Sequence, residues 1–209
     1  MAIVITVAQQ KGGTGKTTLA ANLAAALAAT RRVALLDIDP QGSLSRWHAL
    51  RTARAVPAAP LAFSAIAGWR LAVEIDRLKR DYDVVIIDSP PQIETEARLA
   101  IRGASIVLIP VQPSPPDIWA AEGTLKLASA ERRLAAVVLN RVPATSRQRE
   151  AVQAELTAKG WPLLTSVIGN RTGFSTAFAE GLGVTEAAPR TSAASELRAL
   201  MAELLEKSQ

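Results

Sequence analysis

The segment at residues 11–18, Lys-Gly-Gly-Thr-Gly-Lys-Thr-Thr, constrains this chain more than any other, because such a loop works only where a strand turns into a helix. A short apolar run at 3–7 precedes it, and an Ala/Leu-rich stretch of strong helix formers at 19–29 follows it. Gly12, Gly13 and Gly15 let successive backbone N–H groups curl around phosphate oxygens, and the N-terminus of the next helix adds its positive dipole end. Thr14 and Thr18 belong to the same cofactor-binding loop. Lys16 is placed to reach the β- and γ-phosphates of ATP, and the Thr17 hydroxyl to ligate Mg²⁺.

The usual loop of this kind carries a glycine at the position that is Gln10 here. The generic Gly-x-x-x-x-Gly-Lys-Ser/Thr pattern therefore fails, while Lys-Gly-Gly-x-Gly-Lys-Thr-Thr fits at every position. In this the sequence resembles the ParA/MinD family of deviant Walker-type ATPases. The resemblance implies that Lys11 reaches across a nucleotide-sandwich homodimer to the phosphates of the partner subunit. The plain alternative for Lys11 is a solvated loop lysine.

With 209 residues the chain is expected to form one domain, residues 1–209. Hydrophobic residues make up 49% and aromatics 4%, so the core is built from Ala, Val, Leu and Ile. That composition suits an α/β fold, a doubly wound, mostly parallel sheet flanked by helices, the P-loop NTPase class. Cysteine is absent, which excludes disulfides and cysteine-ligated clusters and fits a reducing cytoplasm. It also argues against the nitrogenase iron protein, whose loop is similar. No apolar run approaches the roughly 20 residues needed to span a bilayer, so a soluble, cytoplasmic protein is expected. A net charge of +5 suggests an anionic partner without naming it.

Short β-branched runs then alternate with longer Ala/Leu-rich stretches, the rhythm of βαβ units. Strands are expected at 32–39, 82–88, 106–110, 136–140 and 163–168, and helices at 44–51, 69–80, 118–131 and 147–158. The stretch 52–60 reads as an irregular connection before a short apolar piece at 61–63. Two strands end in carboxylates, on the rim where open α/β sheets bind ligands. Asp88 fits the role of holding Mg²⁺ through a water. Asp37 and Asp39 lie two apart, so their side chains leave one face if the chain stays extended. The family resemblance implies that Asp39 positions or activates the attacking water and that Asp37 sits near Mg²⁺. Lys11, Lys16 and Asp39 are thus the candidate catalytic set, and Thr17, Asp37 and Asp88 the candidate metal set. Ser-Pro-Pro after Asp88, and the proline-rich run at 110–117, resemble the family's switch II and dimer-face segment. Asn140 matches the place where related folds bind the adenine edge.

The last third carries Arg141, Arg147, Arg149, Arg171 and Arg190. Family members that grip the bacterial nucleoid use basic residues in this region, which makes Arg171 and Arg190, flanking a helix-like segment at 175–180, the candidate DNA contacts. A dimer doubles such contacts, and because the salt slope is about 0.9 per neutralised phosphate, ATP-dependent dimerisation becomes ATP-dependent, sequence-independent DNA binding. The final helix pattern sets Leu197, Leu200, Met201, Leu204 and Leu205 on one stripe, but Glu196, Glu203 and Glu206 outnumber Arg198 and Lys207, which disfavours an anionic membrane. That helix is expected to pack on the sheet. His48 and the four tryptophans read as packing or interface residues. The resulting expectation is a nucleoid-associated ATPase that positions a plasmid, chromosome region or protein cluster, stimulated by a ParB-like or cargo-adaptor protein. A metabolic P-loop ligase or kinase and a metallochaperone-type maturation ATPase are the alternatives.

Overall fold

The structure is a computed structural model that describes residues 2–56, 58–91, 95–144 and 147–208. Seven strands form one sheet: β1 (Ile3–Val7), β2 (Val33–Asp37), β3 (Ala62–Ala65), β4 (Val84–Asp88), β5 (Ile106–Val111), β6 (Leu134–Val142) and β7 (Leu163–Gly169). Their order is β3-β2-β4-β1-β5-β6-β7, and every pairing is parallel. The expectation of a mostly parallel sheet tightens to a wholly parallel one among the described residues. The chain builds outward on one side of β1, returns to the centre, and then builds outward on the other, so a crevice opens at the carboxyl ends of the central strands.

The strands are apolar on both faces, as a sheet covered on both sides requires. Ile5, Val7, Leu35, Ile86 and Leu108 join one core, and Val4, Leu36, Val85, Val107 and Ile109 face the other way. The first core holds α1 (Lys16–Ala28), α2 (Ser43–Thr52), α7 (Thr172–Ala179), α8 (Val184–Ala187) and α9 (Ser192–Lys207). The opposite face carries α3 (Leu71–Asp81), α4 (Thr95–Gly103), α5 (Pro115–Ala130) and α6 (Arg147–Ala158).

Helix α1 is buried throughout residues 19–27, which explains its alanines: small side chains let sheet and helices close in from several sides. The one polar residue there is used twice. Asn22 donates to the Thr18 carbonyl at 2.8 Å and accepts the Val184 N–H at 2.7 Å, which ties the loop helix to the C-terminal helices.

Several boundaries differ from those expected. Helix α1 begins at Lys16, so the loop's last residues are its first turn. Helix α5 begins at Pro115 instead of 118, because Ser114 stands at the N-cap position and prolines tolerate a first turn whose N–H groups have no helical partner. The apolar piece at 61–63 becomes edge strand β3, α4 was not anticipated, and the helix expected at 175–180 starts at Thr172.

Helix α9 packs on β7, as expected, and its acids have a structural reason. Glu203 accepts the N–H groups of Thr165 and Ser166 at 2.8 and 2.9 Å, and Glu196 that of Gly169 at 3.0 Å. Two of the three glutamates of that helix thus satisfy backbone donors of edge strand β7. Burial alone would push the Glu203 carboxyl up, but the hydrogen bonds from Ser166 and Thr165 hold it below the usual glutamate range. Among the described residues no helix is long and apolar enough to cross a membrane.

Candidate nucleotide site

The loop after β1 is held open from outside. Gly13 and Gly15 adopt φ of 78° and 93°, left-handed values that favour glycine. The carbonyls turn outward: Thr14 accepts from Asn140 Nδ2 at 2.7 Å, and Gly13 from Arg141 at 2.8 Å and Gln112 at 3.0 Å. Asn140 lies so close that a Cβ on Gly15 would come within 2.6 Å of its Nδ2. Helix α1 has no side-chain cap and no acid in its first turn, so its leading N–H groups are left for an anion. Lys16 is 6% exposed, with Nζ 3.3 Å from the Lys11 carbonyl. Burial lowers its pKa, although Asp88 and Asp39 nearby pull it upward. An incoming phosphate would relieve that burial cost. Thr14 Oγ1 is buried without a hydrogen-bond partner.

The three acids are treated differently. Asp88, at the end of β4, pairs in register with Val7 on one side and Asp37 on the other. It is fully buried, and neither carboxylate oxygen has a hydrogen-bond donor. Burial pushes its pKa up to about 7, with Asp37 and Asp39 adding to the rise and Thr17 and Lys16 opposing it. The Thr17 hydroxyl is near enough to be felt but completes no well-formed bond. A buried carboxylate without a donor beside a threonine hydroxyl suits a hard divalent cation. Asp37 is also buried but satisfied: Oδ2 accepts the Ser45 N–H and hydroxyl at 2.9 and 2.6 Å, and Oδ1 the Asp39 N–H at 3.1 Å. It anchors the loop into α2. Strand β2 ends at Asp37, so Asp39 lies in that loop, partly exposed, with Oδ1 accepting from Gln41 N–H at 2.9 Å. The two carboxylates are thus held by different partners, Asp37 by Ser45 and Asp39 by Gln41. Among the described residues no three His, Asp or Glu side chains cluster as a metal cage. Mg²⁺ does not need one, since it keeps waters and takes substrate oxygens.

Lys11 is engaged by α5. Its ammonium pairs with Asp117 in the first turn of α5, and the Ser114 hydroxyl donates to the same oxygen at 2.8 Å. The Lys11 side chain is 41% exposed and that of Asp117 1%. The other carboxylate oxygen of Asp117 is buried and unpartnered. Gln9 and Gln10 join the same contact: Gln9 reaches the Asp117 carbonyl, and Gln10 fills the space where Gly123 of α5 has no side chain.

Beside the loop lies a cavity of about 270 Å³, lined by Gly15, Asn140, Arg141, Asn170, Arg171 and Phe174 among others. Its place next to the helix that receives the phosphates suits a nucleoside. Asn140 spends its amide N–H on the loop, which leaves its oxygen for a base edge. Arg171 forms a two-pronged ion pair with Glu196, at 2.6 to 3.0 Å, and forms a wall of this cavity. Arg190 is exposed and has no ion-pair partner among the described residues. The two arginines expected to act together therefore stand in different settings. The Arg147 side chain lies outside the described residues.

Sequence reasoning missed Asp117, Arg141 and Gln112 as loop-holding residues. Asp117 had a signal, an acid three residues after a serine that begins a proline-rich turn. The tryptophans divide: Trp47 is buried and stacks on Phe178, whereas Trp69 and Trp119 are 78% and 68% exposed. His48 stacks on Phe63.

Comparison with known proteins gives the family and the fold. A family model described as the CobQ/CobB/MinD/ParA nucleotide binding domain matches residues 5–184. The chain is 32% identical to the maintenance of carboxysome distribution protein A of Halothiobacillus neapolitanus, over 98% of this chain and 97% of that protein. It is 29% identical to the chromosome-partitioning ATPase Soj of Thermus thermophilus, over 98% and 96%. Among solved structures, the septum site-determining protein MinD of Pyrococcus horikoshii with Mg-ADP superposes with a TM-score of 0.79 at 20% identity, covering 100% of this chain and 99% of that one.

Proposed function

The chain belongs to the CobQ/CobB/MinD/ParA nucleotide-binding family of ParA/MinD-type ATPases, and from that premise we propose that it dimerises on ATP, binds DNA without regard to sequence, and positions a cargo until a partner protein stimulates hydrolysis. The observation that carries this reading is the second lysine. Lys16 is buried in the loop, while the Lys11 side chain is 41% exposed and held by Asp117, which supports a role for Lys11 toward a second subunit. On ATP binding Lys11 leaves Asp117 and crosses to the partner's phosphates.

In the reaction the loop N–H groups and Lys16 bind the β- and γ-phosphates; Thr17 and Asp88 would hold Mg²⁺, which would supply neutralisation of phosphate charge. Asp39, in a loop that Asp37 anchors, positions the attacking water. Lys11 of the second subunit stabilises the charge that develops on the transferred group. The base occupies the cavity beside Asn140, with Arg171 in its wall. Arg190 is the DNA contact we retain from the sequence; Arg171 we assign to the nucleotide cavity, because a DNA phosphate would have to displace Glu196.

Name and length of the Halothiobacillus relative favour a protein assembly as cargo, and the Thermus relative a chromosomal one. The test is the oligomeric state of wild type and Lys11→Ala by mass photometry with ATP, with ADP and without nucleotide. Wild type should dimerise with ATP only, and Lys11→Ala should bind ATP yet stay monomeric. A Lys11→Ala variant that dimerises like wild type removes the cross-subunit role. Turnover that requires a small-molecule co-substrate would move the chain to the metabolic ligase or kinase class.

A further inference from the structure

Helix α5 joins the two rims of the sheet. Its first turn holds Lys11 at the carboxyl rim, and over its 16 residues it runs about 24 Å to the amino rim. There, between α5 and the turn that leads into β7, lies an open groove of about 670 Å³. Leu125, Trp161 and Pro162 give it an apolar floor, and Lys126, Arg133 and Lys159 line it with positive charge. Its one lining acid, Glu122, is paired with Lys126 at 2.9 Å. Lys159 lies 5.8 Å from the centre of the Trp161 ring and pairs with Glu155 at 3.3 Å. Arg133 is exposed and has no ion-pair partner among the described residues.

We propose that this groove docks an acidic segment of a partner protein that carries at least one large apolar side chain. The inference rests on the reading above that the ATPase answers to a partner, and it adds where and by what chemistry. Glu122 and Glu155 offset Lys126 and Lys159, so the uncompensated charge is that of Arg133, which selects a negative ligand, while the floor rewards an apolar one. A duplex backbone offers charge but nothing to cover Trp161 and Leu125, so a peptide fits the groove better than DNA. The position also matters. The groove is on the rim opposite the nucleotide, so a partner seated in it leaves the face around Lys11 free for a second copy of the chain.

The probe is a fluorescein-labelled 12-residue peptide of Glu, Leu and Trp, compared by anisotropy with the same peptide carrying Gln for Glu. The full chain should bind the acidic peptide at least tenfold more tightly than its glutamine counterpart, and Arg133→Glu should cut that affinity at least tenfold. Arg133 is exposed, so the fold should survive, and Lys126→Glu gives a second, independent reading on the same rim. Both variants should keep ATP-dependent dimerisation and duplex binding within twofold of wild type. Equal binding of the two peptides, or acidic-peptide binding that ignores both substitutions, overturns the proposal. So does loss of duplex binding in Arg133→Glu with peptide binding intact, which would give the groove to nucleic acid. Failure here with ATP-dependent dimerisation preserved sinks the groove alone, whereas a wild type that never dimerises sinks the functional reading whatever the peptide does.

Discussion

Asp117→Asn is expected to strengthen ATP-dependent dimerisation. In the free subunit the buried Asp117 carboxylate holds Lys11 and accepts from Ser114, so Lys11 can serve a second subunit only after this pair has parted. A charge-assisted hydrogen bond contributes about 1.5–3 kcal/mol. Lys11 is 41% exposed, so solvent screening favours the low end, about 1.5 kcal/mol. Asparagine keeps the shape and the Ser114 partner but removes the charge. Two subunits each give up one such pair, about 3 kcal/mol per dimer, and at about 1.4 kcal/mol per decade the dimer should tighten by roughly 100-fold. The folded monomer should lose about 1.5 kcal/mol of stability by the same argument. Sedimentation equilibrium with a non-hydrolysable ATP analogue gives the dimer constant, and urea unfolding of the nucleotide-free chain gives the stability. An unchanged or weaker dimer in Asp117→Asn would refute the idea that this ion pair opposes assembly.

Gly15→Ala should abolish ATP binding while the chain still folds, because its φ of 93° and the Asn140 amide 2.6 Å from a new Cβ force the loop to move; calorimetric titration and circular dichroism separate the two effects. Asp88→Asn should raise the melting temperature of the nucleotide-free protein by a few degrees, about 1 kcal/mol, since a neutral amide costs less to bury than an unpartnered carboxylate, and should weaken Mg-ATP binding. Glu203→Gln should lower stability at neutral pH by about 1 kcal/mol. Its carboxyl is held below the usual range, so the wild-type advantage is present above the unfolded glutamate pKa and disappears as pH falls through the folded one; melting curves of the two proteins should converge in acid. Arg190→Ala should weaken duplex binding and reduce the salt slope by about 1.8 per dimer, whereas Arg171→Ala should act on nucleotide affinity first.

What the sequence made legible was local. The glycines and lysines of the loop, the acids that end β2 and β4, and the alternation of apolar runs each lie within one element and its next turn, where spacing dictates geometry. The settings of those residues were not legible, because they depend on contacts far apart in the chain. Lys11 meets Asp117 at a separation of 106 residues, and Asn140 meets Thr14 at 126. Asp37 and Asp39 look equivalent in sequence, yet Ser45, which arrives with α2, occupies one and leaves the other. In the sequence the glutamates of α9 speak only against an anionic membrane; that β7 presents its N–H groups to Glu196 and Glu203 shows only in the fold. The α5 start at Pro115 needed only turn chemistry, and was within reach.

The measurement that bears most directly on the account is binding to sequence-random double-stranded DNA with ATP, with ADP and without nucleotide, each at two salt concentrations. The account predicts binding with ATP alone that weakens steeply as salt rises. Binding that ignores the nucleotide, or none in any state, would contradict it.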